Sequence, residues 1–162
     1  MIKISSAFIA VLILQGCSFQ LRKNTPLSDD FKQLQIIEMS ESGGLRKALE
    51  TAIQEAGGQV SEQSKTRIRL SNIREGKRIV AYNRERKARI YLLSLKLNYT
   101  ILIASKDNQK DRSFTPQRIN LDKTFLYDAN FALGKVKEEE QIRESLYGEA
   151  ARLILLRLKY GR

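Results

Sequence analysis

The sequence predicts a two-layer α/β domain: a sandwich with two helices packed on a mixed four-stranded sheet, in the order β-α-β-β-β-α. Three observations carry this. Tyr91, Leu93, Leu95, Leu97, Tyr99, Ile101 and Ile103 occupy every second position, the period of a long strand with one buried face. Two other stretches, beginning at Leu45 and at Ile142, place their apolar residues at helical spacing instead. The elements that follow one another in this order pack as a helical layer on a sheet, and the first β-α-β is expected to be a right-handed crossover.

The elements can be justified in chain order. Met1, Ile2 and Lys3 give a short positive start, and Ile4 to Leu14 is apolar except for Ser5 and Ser6. A bilayer-spanning helix needs about 20 apolar residues, and this run is shorter, so residues 1–16 read as a cleaved signal peptide. Leu14, Gln15 and Gly16 lead directly into Cys17, the only cysteine in the chain. That order resembles a bacterial lipobox, in which the cysteine sulfur receives a lipid and cleavage makes the cysteine the first mature residue. A buried free thiol or an odd cysteine awaiting an intermolecular disulfide is the plainer alternative, and the position directly after an apolar leader argues against both. One acyl chain anchors marginally, at about 0.8 kcal/mol per buried methylene, whereas two or three hold firmly. Ser18, standing where Asp favours inner-membrane retention in enteric-type bacteria, points to the outer membrane on its periplasmic side.

Residues 17–31 are expected to form the lipidated N-terminus and a tether, since QLRKNTPLSDD at 20–30 holds Pro26 and several turn formers. Residues 32–162 are expected to form a single domain. Leu34, Ile36, Ile37 and Met39 make a run of strand length, ended by the turn-like stretch Ser40 to Gly44. Leu45, Ala48, Leu49, Ala52, Ile53 and Ala56 then form one stripe of an amphipathic helix, stopped by Gly57-Gly58. Core packing explains that stripe better than a partner does. Ile68 and Leu70 alternate with Arg67, Arg69 and Ser71, and Ile79, Val80 and Tyr82 continue an extended pattern after Gly76. In the long strand that follows, Lys96 and the polar alternate positions exclude a transmembrane helix. Ile119, Leu121, Phe125 and Tyr127 mark a fourth strand. Ile142, Leu146, Ala150, Leu153, Ile154 and Leu158 line one face of a closing helix, with Glu138 to Glu140 near its start and Arg157, Lys159 and Arg162 near its end to complement the dipole.

Chemistry is constrained by what is missing. The chain contains no histidine, and Cys17 is assigned to lipid, so histidine general catalysis, cysteine nucleophiles and Cys/His zinc sites have no residues to use. A histidine-based pH switch is excluded for the same reason. The carboxylate runs Asp29-Asp30 and Glu138-Glu139-Glu140 sit in a linker and near a helix start, where solvation or capping accounts for them. No Gly-rich phosphate loop is found. A non-enzyme is expected, with no cofactor beyond the covalent lipid on Cys17.

The remaining signal is positive charge, a formal +11 concentrated in NRERKAR at residues 83–89. Arg84, Arg86, Lys87 and Arg89 are expected at a hairpin end, joined by Arg74, Lys77 and Arg78. Such a patch attracts phosphate, in nucleic acid, anionic lipid or lipopolysaccharide; a solvated turn with no ligand fits the local pattern equally well. Export removes nucleic acid from consideration but leaves a phosphorylated glycolipid.

A family resemblance joins these features. Cys17-Ser18-Phe19-Gln20-Leu21-Arg22 resembles the start of the lipopolysaccharide-assembly lipoproteins of the LptE family. LRKALETAIQEAG resembles their first helix, RIRLSNI and YLLSLKLNYTILI their central strands, and FLYDANFALGKVKEEEQ their closing segment. The resemblance implies a partner rather than a reaction: a plug inside the outer-membrane β-barrel LptD, whose polar lumen suits a charged domain, delivering lipopolysaccharide to the outer leaflet. It also implies lipopolysaccharide contacts at Arg84 and Lys135. Arg86 and Lys87 are added from local charge and rank below them. Arginine and lysine there would bind lipid phosphates by charge-assisted hydrogen bonds and compete with crosslinking divalent cations. The alternative is a periplasmic lipoprotein that binds anionic lipid or cell-wall polymer without a barrel partner.

Overall fold

The computed structural model describes residues 27, 31–38, 43–104, 112–127 and 132–160, with side chains of the last segment described from residue 136 onward. Cys17, the leader and the motif through Arg22 lie outside these residues, as does Met39. The described elements are β1 (Gln33–Glu38), α1 (Gly43–Glu55), β2 (Gln59–Val60), β3 (Thr66–Tyr82), β4 (Ala88–Ile103), β5 (Arg112–Ser113), β6 (Gln117–Leu126) and α2 (Ala132–Tyr160).

Two helices on a mixed sheet is the predicted class, but among the described residues the sheet has six strands rather than four. The extra strands, β2 and β5, are two residues each and too short to carry a hydrophobic period. The strand order is β2-β1-β3-β4-β5, with β6 also paired to β4. β1 runs parallel to β2 and β3, while β4 runs antiparallel to β3, β5 and β6. The parallel β1–β3 pair is connected through α1, as a crossover requires.

The core forms where the alternation of β4 meets the two helical stripes. Leu93, Leu95, Leu97 and Tyr99 of β4 are buried with Ile68 and Leu70 of β3, Leu45, Leu49 and Ile53 of α1, and Leu146, Ala150, Ile154 and Leu158 of α2. Burying each large aliphatic side chain contributes about 1.5–3 kcal/mol, so this layer dominates the stability of the fold. At Gly44 the helices approach so closely that a Cβ would run into the Tyr147 ring.

α1 stops as its glycines predict. Gly57 takes a left-handed φ of 78°, and the Gly57 and Gly58 N–H groups donate to the carbonyls of Gln54 and Ile53, both at 2.9 Å. These bonds satisfy carbonyls that the helix end would leave unpaired. The same corner receives Leu27, which is buried and whose N–H donates to the Ala56 carbonyl. Packing therefore reaches back into the stretch expected as tether.

One local reading is corrected and another gains a detail. α2 begins at Ala132, so Glu138 to Glu140 lie beyond its first turn, where the dipole effect has faded; Glu139 instead pairs with Lys77 and Arg143. β3 is one strand with a bulge between Ser71 and Arg74, where Asn72 has a φ of 52°. The bulge adds a residue and exchanges the faces. Thr66, Ile68 and Leu70 face the helices before it, and Glu75, Lys77 and Ile79, opposite Leu95, Leu93 and Tyr91, face them after it. No described helix is long and apolar enough to cross a membrane.

Candidate functional site

The basic segment forms the connection of the β3–β4 hairpin. Asn83 organises it: its N–H donates to the Lys87 carbonyl at 2.9 Å, and its own carbonyl accepts from the Arg86 N–H at 3.0 Å. Its side-chain oxygen accepts from the N–H groups of Glu85 and Lys87 at 3.0 and 2.9 Å. Arg86 takes a φ of 60°, completing a three-residue loop with a left-handed last position. Asparagine thus spends both its amide oxygen and its backbone on the turn, leaving the charged side chains to solvent.

Arg84, Arg86, Lys87 and Arg89 are all exposed. Lys87 pairs with Glu85 at 2.9 Å, with both side chains 69% exposed, and such a pair contributes at most about 1 kcal/mol. Arg84 and Arg86 form no ion pair with a described carboxylate. The turn's two arginines are therefore exposed cations with no described acidic partner.

The wider cluster expected from the sequence does not gather. Lys77 turns to the helix side, where it pairs with Glu139 and lies 4.7 Å from the Tyr91 ring centroid. Arg74 and Arg78, opposite Lys96 and Leu92, lie on the other face of the sheet. The face change at the bulge separates side chains that are neighbours in sequence.

Lys135 belongs to the first turn of α2, and its side chain lies outside the described residues. The topology brings this turn to the hairpin's end of the sheet. The Tyr127 N–H donates to the Arg89 carbonyl at 2.7 Å, and α2 starts shortly afterwards at Ala132. One turn beyond Lys135, Glu139 reaches Lys77 on β3. The first turn of a helix also favours anions through its exposed N–H groups and dipole.

A polar network clamps this end of α2 to β3, and sequence reading missed it. Arg143 donates to Glu75 at 2.7 Å and to Glu139 at 2.8 Å, and the Tyr147 hydroxyl also donates to Glu75. The hydrogen bond to Glu75 holds the Arg143 guanidinium pKa above its ordinary value, against a smaller opposing effect of burial. The i, i+4 spacing of Glu139 and Arg143 was the one available signal. Tyr91 adds an aromatic support, stacked on Phe125 at 5.6 Å and edge-on to Tyr127 at 5.3 Å.

Elsewhere, a groove of about 630 Å³ runs between the helices over Ala48, Ala52, Gly148 and Leu155. Of the described site residues, Arg84, Arg86 and Lys87, none lines it. Among the described residues no group of His, Cys, Asp and Glu is arranged to hold a metal ion.

Two helices on a mixed sheet, with a basic turn at the end of its longest hairpin, define a small two-layer α/β domain. The fold is shared with the solution NMR structure of an uncharacterized lipoprotein B from Nitrosomonas europaea, with a TM-score of 0.64, 18% identity, and coverage of 89% of this chain and 90% of that one. Residues 31–158 match the model of the family described as LptE, Lipopolysaccharide-assembly, and the chain belongs to that family. It is 27% identical over 153 residues to the LPS-assembly lipoprotein LptE of Photorhabdus laumondii, covering 93% of this chain and 81% of that protein. Against the protein of that name from Yersinia enterocolitica it is 24% identical over 154 residues, covering 93% and 72%. The family consists of non-enzymatic lipoproteins of the Gram-negative envelope that take part in lipopolysaccharide assembly. The resemblance read from the sequence is borne out.

Proposed function

We propose that this protein is an outer-membrane lipoprotein, anchored on the periplasmic side through lipid on Cys17, that plugs and supports assembly of an LptD-type β-barrel and binds lipopolysaccharide on its way to the outer leaflet. Arg84 and Lys135 are the principal contacts, each engaging lipid A or core phosphates by charge-assisted hydrogen bonds. Arg86 and Lys87 follow them. Lys87 ranks last because Glu85 already offsets its charge. The observation that carries this reading is exposed Arg84, with no described acidic partner, on a hydrogen-bonded turn at the end of the sheet where α2 begins. Membership of a lipopolysaccharide-assembly family supplies the ligand class.

The test combines binding with co-purification. In the Arg84→Glu/Lys135→Glu variant, lipopolysaccharide affinity is expected to fall about tenfold or more, corresponding to roughly 1.4 kcal/mol or more, while a stable complex with the barrel persists. Unchanged binding would sink the residue assignment. A wild-type protein recovered on membranes with no barrel attached would instead favour an anionic-lipid or cell-wall-polymer binder.

A further inference from the structure

The sheet face turned away from the helices carries charge that the fold does not use. Directly paired residues on neighbouring strands share a face, so Leu93, Leu95 and Leu97 mark the covered side and the residues between them mark the open one. On that open side Arg74 of β3 stands directly opposite Lys96 of β4, and Lys96 stands opposite Asn120 of β6. In the next row Ser71, Asn98 and Arg118 lie abreast. Opposed Cβ atoms are about 5 Å apart and diagonal ones about 7–8 Å, so Arg74, Lys96 and Arg118 bring three cations from three strands into one cluster. The Ser71 hydroxyl and the Asn98 and Asn120 amides surround it with further hydrogen-bonding groups.

This cluster carries net positive charge, with Asp122 diagonal to Lys96 as its one nearby acid on these strands. Arg74, Lys96 and Arg118 are exposed, and none pairs with a described carboxylate. Arg67 and Arg69, opposite Leu102 and Thr100, extend the charge along β3, while Asp122 is the one acid that β3, β4 and β6 place on this face. Like charges directly opposed across strands are destabilising. A bound anion would remove that cost.

Toward the hairpin the same face adds apolar side chains beside Arg78, which stands opposite Leu92. Leu92 lies opposite Thr124, and Ile90 lies opposite Leu126, which is 56% exposed. A carboxylate-rich protein wall would answer the cations but not the apolar row beside them. An amphiphile with phosphates and acyl chains answers both.

We infer that this open face, centred on Arg74, Lys96 and Arg118, is a second binding surface for the phosphorylated glycolipid. It is separate from the hairpin turn, which lies roughly 25 Å farther along β3 at strand rise. The inference rests on the lipopolysaccharide-binding reading above, extending it from one contact point to two. Phosphates would dock on the cationic cluster while acyl chains lie along Leu92, Ile90 and Leu126.

The test uses the full-length lipidated protein in detergent, with purified lipopolysaccharide and its dephosphorylated form as probes. The Arg74→Gln/Lys96→Gln/Arg118→Gln variant is expected to bind intact lipopolysaccharide about tenfold more weakly at physiological salt, and to bind the dephosphorylated form as the wild type does. Lys96→Thr, a single exposed strand substitution with good β propensity, gives the same pattern at roughly threefold and guards against misfolding of the triple variant. Unchanged affinity in both variants, with Arg84→Glu/Lys135→Glu still weakened, overturns the second surface and leaves the proposed function standing. Loss of barrel capture with unchanged lipopolysaccharide affinity also overturns it, assigning the face to a protein wall. A wild type that binds neither probe overturns both readings.

Discussion

The two faces of the β3–β4–β6 ribbon treat positive charge in opposite ways. On the helix side Lys77 meets Glu139, Arg143 meets Glu75, and Lys123 meets Glu149 at 3.2 Å and the Ser145 hydroxyl at 2.6 Å. On the open side Arg74, Lys96 and Arg118 meet no described carboxylate. The same residue types thus act as fasteners where the helices cover them and, as inferred above, as a ligand surface where no described element does. Charge balance, not charge count, separates structural cations from functional ones.

Two adjacent residues expose the contrast most strongly. Leu97→Ala removes a side chain fully buried under the helices and is expected to cost about 2–5 kcal/mol in denaturant unfolding. Lys96→Ala, on the opposite face, is expected to stay within about 0.5 kcal/mol. A Lys96 effect as large as that of Leu97 would show that the open face is structurally committed.

Next in size is Glu75→Ala, which leaves both Arg143 and the Tyr147 hydroxyl without their shared acceptor. Because Glu75 and Arg143 are roughly one-third exposed, solvent replaces part of the interaction and the expected loss is about 1–2 kcal/mol. Hydrogen exchange should locate that loss in the β3–α2 region, with the base of the sheet still protected. Uniform loss of protection would mean that the network supports the whole domain.

The smallest effect concerns the turn. Arg86 occupies a left-handed conformation, which costs a non-glycine residue about 1–2 kcal/mol. Arg86→Gly relieves it and should raise stability by up to about 1 kcal/mol, the gain being reduced by the greater freedom of glycine in the unfolded chain. A fall in the melting midpoint would mean that the Arg86 side chain supports the turn.

Legibility differed by how far apart the relevant residues lie. The long β4 period and the two helical stripes were readable because each is local and repeated. The bulge at Asn72 was not: its residues look like any polar strand, and only pairing with β4 places an extra residue there. That single insertion decided which face received Glu75, Lys77, Arg74 and Arg78. The basic turn was visible as NRERKAR because its charges are contiguous. The Arg74–Lys96–Arg118 cluster was invisible because its members come from three strands and share a location only through sheet register.

Leu27, tied to the corner after α1 through its bond to Ala56, sets a leash length. Ten residues separate it from Cys17, and a fully extended chain covers at most about 3.6 Å per residue. With Cys17 lipidated as proposed, that corner cannot stray more than about 36 Å from the lipid surface. The lipid then keeps the domain in a shallow zone beside the membrane, within reach of a barrel seated there.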